Sequence, residues 1–172
     1  MIKNSIVFLL TFLFSVGLTA QNTIKIYDPS ADAKKEIAVA VQKAAEEGKH
    51  VFIQVGGNWC PWCIKFNKFT TENTSLDSLV KASFIVVHLN YSKENENTVI
   101  LASYNYPQRF GFPVFLILDE KGNLIHTQDS GDLEEEKSYS FKKVDRFFRM
   151  WSPLTMQQAK QKYGKEAQKE KK

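Results

Sequence analysis

Trp59-Cys60-Pro61-Trp62-Cys63 contains both cysteines of the 172-residue chain, and its setting decides the fold. Upstream lies His50–Val55, a compact β-favouring run closed by Gly56-Gly57; downstream, Ile64, Phe66 and Phe69 mark an amphipathic helix. Cys60 therefore falls at a helix N-terminus. Pro61 suits the first helical position because its missing N–H would have no partner there. The exposed backbone N–H groups and the helix dipole favour a thiolate over a thiol. A lowered thiol pKa makes Cys60 a candidate nucleophile for thiol–disulfide exchange, provided its sulfur is reachable. Cys63 sits one turn deeper, with Cα atoms at roughly 5–6 Å for this spacing, inside the disulfide window. It can attack a mixed disulfide held on Cys60 and release the partner.

Two plainer readings compete. A structural bridge across about four residues stabilises by only roughly 2 kcal/mol, against about 4.7 for a hundred-residue loop, so a staple would be better placed elsewhere. Metal binding would need partners such as His50, His88 and His126, but these fall in separate predicted strands without ligand spacing.

Composition excludes other classes. Apolar residues make up 43% and charged residues 24%, the balance of a soluble globular domain. The formal charge is +4, and the tail Gln157–Lys172 accounts for it, so the body carries no basic surface for nucleic acid. Two cysteines are too few for a disulfide-stapled mini-protein. At the N-terminus, Lys3, the apolar run Ile6–Val16 and Leu18-Thr19-Ala20 form the pattern of a cleavable secretory signal over residues 1–20.

The remainder divides into a domain at 21–152 and a basic tail at 153–172. Thr23–Tyr27 is an expected strand. Ile37, Val41, Ala44 and Ala45 mark a helix ended by Gly48. Ser75 caps a short helix carrying Leu76, Leu79 and Val80, and Phe84–Leu89 reads as a strand buried on both faces. A short helix over Val99–Tyr104 precedes a hairpin, Val114–Leu118 and Leu124–Thr127, turning at Asp119–Asn123. Asp129–Lys137 is an acidic loop, and Phe141, Val144, Phe148 and Trp151 stripe a final helix. This order implies an α/β architecture with one mixed central sheet and helices on both faces.

Gly111-Phe112-Pro113 immediately precedes the strand Val114–Leu118, where a proline is permitted because it removes only one ladder donor. An X–Pro bond there can be trans or cis, and base rates alone favour trans.

Together, Trp-Cys-x-x-Cys after a buried strand, Gly111-Phe112-Pro113-Val114 before another, and the Asp119–Asn123 hairpin resemble the thioredoxin-fold family over Thr23–Trp151. The resemblance implies that Cys60 is the nucleophile, Cys63 the resolver, and Pro113 cis beside them. It also implies that the Phe112 backbone is exposed for an extended substrate. The signal segment and the insertions at Glu72–Ala82 and Asn90–Asn97 look like the secreted bacterial members. Three departures stand out: Gln54 occupies the position of a frequent buried Asp, Pro61-Trp62 replaces Gly-Pro, and Ile64 replaces the Lys after the second cysteine.

The expectation is a periplasmic or secreted thiol–disulfide oxidoreductase, first of all a reductase. Cys60 and Cys63 are catalytic, and Trp59, Pro61, Trp62, Phe112 and Pro113 bind substrate. Its partners are proteins bearing thiols or disulfides and a membrane electron donor, with no nucleic acid, metal or cofactor, and the chain is monomeric. Gln54 keeps a second class open, a non-catalytic binding or chaperone module of the cell envelope.

Overall fold

The computed structural model describes residues 25–170. The expected signal segment at 1–20 lies outside the described residues, as do the first two residues of the expected opening strand.

Helix α1 (Ala33–Glu47) starts at Asp32, whose carboxylate accepts the Lys35 N–H, and stops at Gly48 in the left-handed conformation. Strand β1 (His50–Gly56) leads into α2 (Pro61–Glu72). Helix α3 (Thr74–Ser83) begins at Asn73, whose side-chain oxygen accepts from the amides of Ser75 and Leu76. The cap is thus Asn73 and not the expected Ser75. After β2 (Phe84–Asn90) come α4 (Thr98–Ser103), a 3-10 turn over Pro107–Phe110, and the hairpin of β3 (Val114–Leu118) and β4 (Leu124–Asp129). Asp119 organises the hairpin turn by accepting from the amides of Lys121 and Asn123, with Gly122 at positive φ.

The main sheet runs β2-β1-β3-β4. β1 is parallel to β2 and antiparallel to β3, and β3 is antiparallel to β4. The expected mixed sheet flanked by helices is the observed one. Alternation along the central strands splits the core. Val51, Ile53 and Val55 of β1 face one side with Ala33, Ile37 and Ala44 of α1 and Leu101 of α4. Phe52 faces the other with Phe66 of α2, Leu76 of α3 and Phe148. Gln54 and Gly56 follow Phe52 in the two-residue period and so lie on the α2 side.

Four expectations are corrected. The described part of the opening strand, Lys25–Tyr27, is not a strand. The Asn58 side chain accepts from the Ile26 and Tyr27 amides and donates to the Tyr27 carbonyl, taking the place of a ladder neighbour. Among the described residues the Phe84–Leu89 strand is an edge, with Val86 41% exposed, because β1 alone of them pairs with it. The Asp129–Lys137 segment is not a plain loop. It forms a 3-10 turn (Ser130–Leu133) and enters a small hairpin of β5 (Glu134–Glu135) and β6 (Ser138–Tyr139). In α5 (Phe141–Met150) the core residues are Val144, Phe147 and Phe148, while Phe141 is exposed. Helix α6 (Pro153–Glu170) follows, with Leu154 and Tyr163 exposed.

Candidate active site

Gly56 and Gly57 let the backbone pass close under α2. A Cβ on Gly56 would collide with Cys63 Sγ and the Tyr27 hydroxyl, and one on Gly57 with the Trp59 indole and the Tyr91 carbonyl. The chain then turns through Asn58 and Trp59, and the Cys60 N–H donates to the Gly57 carbonyl at 3.0 Å. Cys60 is the N-cap of α2 and Pro61 its first residue, as expected. The Cys60 sulfur accepts from the Cys63 N–H at 3.1 Å. The same N–H also donates to the Cys60 carbonyl at 3.1 Å, so this helix-start donor is shared between the two acceptors, and its share on the sulfur favours negative charge there when the bridge opens.

Cys60 and Cys63 form a disulfide with Cα atoms 5.3 Å apart, within the expected spacing. The bridge is covered more closely than the sequence implies. Cys60 retains 3% exposure and Cys63 none, because Tyr27, Trp62, Phe112 and Ile26 pack around them. An incoming thiolate needs only a narrow approach to one sulfur. Among the described residues, what little exposure the pair keeps belongs to Cys60.

The remaining predicted site residues converge here. Trp59 is 55% exposed; its indole N–H donates to the Tyr91 carbonyl at 2.7 Å and its ring meets Phe112 edge-on at 5.5 Å. Trp62 is half-buried: its carbonyl accepts from the Tyr139 hydroxyl, its ring meets Tyr139 edge-on, and the Lys65 ammonium sits 4.2 Å above it. Lys65 is itself held by the Lys137 carbonyl at 2.6 Å. The β5–β6 hairpin is thereby fastened to α2. The Phe112–Pro113 bond is cis, with Phe112 packed on the disulfide cluster and Pro113 buried.

Sequence reasoning missed Tyr27, Asn58, Tyr91 and Tyr139. Tyr27 is buried, and its hydroxyl accepts from Gln54 Nε2 at 2.7 Å. Gln54 Nε2 also donates to the Cys63 carbonyl at 3.0 Å. Burial raises the Tyr27 phenol well above its ordinary range, and the Gln54 bond opposes this weakly. His88, opposite Gln54 on β2, lies edge-on to the Tyr27 ring and has its proton affinity lowered by burial. The signal for Tyr27 was the unpaired amide at position 54, which needed a partner.

His50, His88 and His126 sit on β1, β2 and β4. No group of three or more His, Cys, Asp or Glu placed to hold a metal ion occurs among the described residues. Nor is any helix among them long and apolar enough to cross a membrane.

The chain is similar to the thiol:disulfide interchange protein DsbD of Haemophilus ducreyi, 28% identical over 112 residues covering 63% of this chain and 19% of that protein. The protein of the same name from Yersinia pestis matches at 28% over 63% of this chain and 18% of its own length. The chain thus spans under a fifth of these curated relatives. Among solved structures, a disulphide isomerase from Xylella fastidiosa Temecula1 superposes with a TM-score of 0.65 at 24% identity, covering 73% of this chain and 95% of that one. A thioredoxin from Thermus thermophilus gives 0.50 at 20% identity, covering 66% and 81%. These two likenesses concern the fold. The sequence model of the thioredoxin-like family matches residues 32–120, more than half of the chain, and the chain belongs to that family.

Proposed function

We propose that the chain is a thiol–disulfide oxidoreductase acting on protein partners, working first of all as a reductase. One observation carries this reading: a disulfide at a helix N-terminus in which Cys60, the less deeply buried partner, has a sulfur that accepts a helix N–H. A bridge serving only as a staple has no need of that asymmetry.

In the reductive direction the Cys60 thiolate attacks one sulfur of a partner disulfide. The electron pair leaves on the partner's other sulfur, which takes a proton from water. Cys63, having lost its proton, then attacks Cys60 Sγ. The mixed disulfide breaks, the second partner thiolate departs, and the Cys60–Cys63 bridge forms. The dithiol of a membrane electron donor reverses the bridge for the next cycle. Pro61, Trp62, Phe112 and Pro113 surround the approach and Trp59 supplies the exposed apolar rim, so these five serve as the substrate-binding set. A periplasmic or secreted location is supported by the N-terminal pattern of Lys3, Ile6–Val16 and Leu18-Thr19-Ala20.

Single-turnover reduction of a disulfide-bonded model protein tests the reading. The dithiol form reacts, and Cys60→Ser falls to background. Equal rates for the two would leave a binding module in its place. Equilibration with glutathione then fixes the direction: a potential near about −270 mV marks a reductase, and one near about −120 mV a strong oxidant.

A further inference from the structure

The dithiol lacks a carboxylate at position 54, yet a proton-bearing group shares the buried cluster of its resolving sulfur. Gly56 brings the two together, because the Tyr27 hydroxyl and Cys63 Sγ both crowd the point where a Gly56 side chain would begin. Tyr27, Cys60 and Cys63 belong to one buried cluster. Gln54 donates into the Tyr27 oxygen at 2.7 Å and so occupies a lone pair. The phenolic proton is left to point elsewhere, since a tyrosine hydroxyl is one donor as well as an acceptor. No hydrogen bond donated by that hydroxyl is found among the described residues. Asn58 holds the backbone at Ile26 and Tyr27 with three hydrogen bonds, and Gln54 holds the Tyr27 hydroxyl.

We infer that Tyr27 is the positioning residue for the resolving step. When the bridge opens, its O–H donates to the Cys63 sulfur and stabilises the thiolate that must attack Cys60. The inference deepens the oxidoreductase reading and rests on it. Burial in an apolar cluster disfavours a thiolate, and a hydrogen bond to the charged form opposes that cost. Tyr27 does not act as a base: burial keeps its phenol protonated near neutrality. The Cys63 proton goes to solvent, and the bond-making and bond-breaking are those of the resolving attack above. The titratable groups facing the pair are Cys60 at the cap of α2, His88 on β2 against the Tyr27 ring, and Tyr139 on β6. Burial favours the uncharged form of both His88 and Tyr139.

The experiment follows the Cys63 Cβ chemical shift against pH in the reduced, isotope-labelled protein and in Tyr27→Phe, which removes one oxygen. The Cys63 pKa is expected to rise by about one unit, equivalent to about a tenfold loss of thiolate at pH 7. Gln54→Met, which unpins the hydroxyl while keeping the chain length, is expected to give a smaller rise and decides the matter should Tyr27→Phe not fold. An unchanged Cys63 pKa overturns the inference. Reaction with an aromatic disulfide reads the parent proposal separately, because its first thiol release reports Cys60 and its second the resolving attack. Loss of the first release in the unsubstituted protein sinks the oxidoreductase reading, while the titration still judges Tyr27.

Discussion

The two faces of the sheet are built from different materials. Against α1 and α4 the core is aliphatic: Ala, Ile, Val and Leu from Ala33 to Leu118. Against α2, α3 and α5 it is aromatic, with Phe52, Phe66, Phe84, Phe115, Phe147, Phe148 and Tyr139. Phe66 and Phe115 meet at a tilt of 35° with centroids 4.2 Å apart, and Phe52 meets Phe148 edge-on at 5.1 Å. The aliphatic side asks mainly for volume, whereas aromatic pairs also ask for orientation. That orientation continues into the site. Phe66 lies one turn after Cys63, contacts Tyr139 at 4.9 Å, and Tyr139 in turn holds Trp62. The aromatic face therefore sets where the dithiol stands, while the aliphatic face supports the sheet beneath it.

The contrast is broken or sharpened by paired truncations. Phe66→Ala should cost about 4 kcal/mol in denaturant unfolding and also slow thiol–disulfide exchange. Leu101→Ala, equally buried on the other face, should cost about 3 kcal/mol and leave exchange near its original rate. Equal effects of the two on exchange would abolish the distinction. Nearer the sulfurs, Trp62→Ala removes an edge-on aromatic contact and the Lys65 cation over its ring, for about 2 kcal/mol. Trp59→Ala should cost within about 0.5 kcal/mol of stability, since its ring is mostly exposed. Its effect should appear as slower exchange with protein disulfides relative to a small-molecule disulfide.

The smallest effect concerns His88, whose pKa is lowered in the fold by burial. The unfolded chain binds the proton more readily, so stability rises with pH between the folded value and about 6.5. Acidification through that window should therefore destabilise the protein. His88→Gln should flatten this part of the stability profile, measured as the denaturation midpoint from pH 7 to 5. An unchanged slope would mean that other groups set the acid sensitivity.

Much of the site was legible because it is local. Cys60 at a helix start, Pro61 behind it and Cys63 one turn on follow from spacing alone, and the 5.3 Å Cα separation agrees. Local rules also found α1 with its Gly48 stop and the Asp119–Asn123 turn. The misses are non-local. Lys25–Tyr27 has strand composition but hydrogen-bonds to a side chain 31 or 32 residues away. Phe84–Leu89 has the composition of a central strand and lies at an edge, which periodicity cannot distinguish. Phe141 has the spacing of a core residue at the first position of α5, yet the core begins at Val144.

Residue order alone determined the Cys60–Cys63 pair, the helix that presents it and the alternation of strands and helices, because each depends on neighbours within a turn or two. Only the folded chain decided that Cys63 is sealed and Cys60 barely open, and that an amide and a phenol stand behind the buried sulfur. Those outcomes depend on Tyr27, Gln54, Phe112 and Tyr139, which lie far apart along the chain and meet only when α2 packs on the sheet. Burial and hydrogen bonding are properties of that meeting.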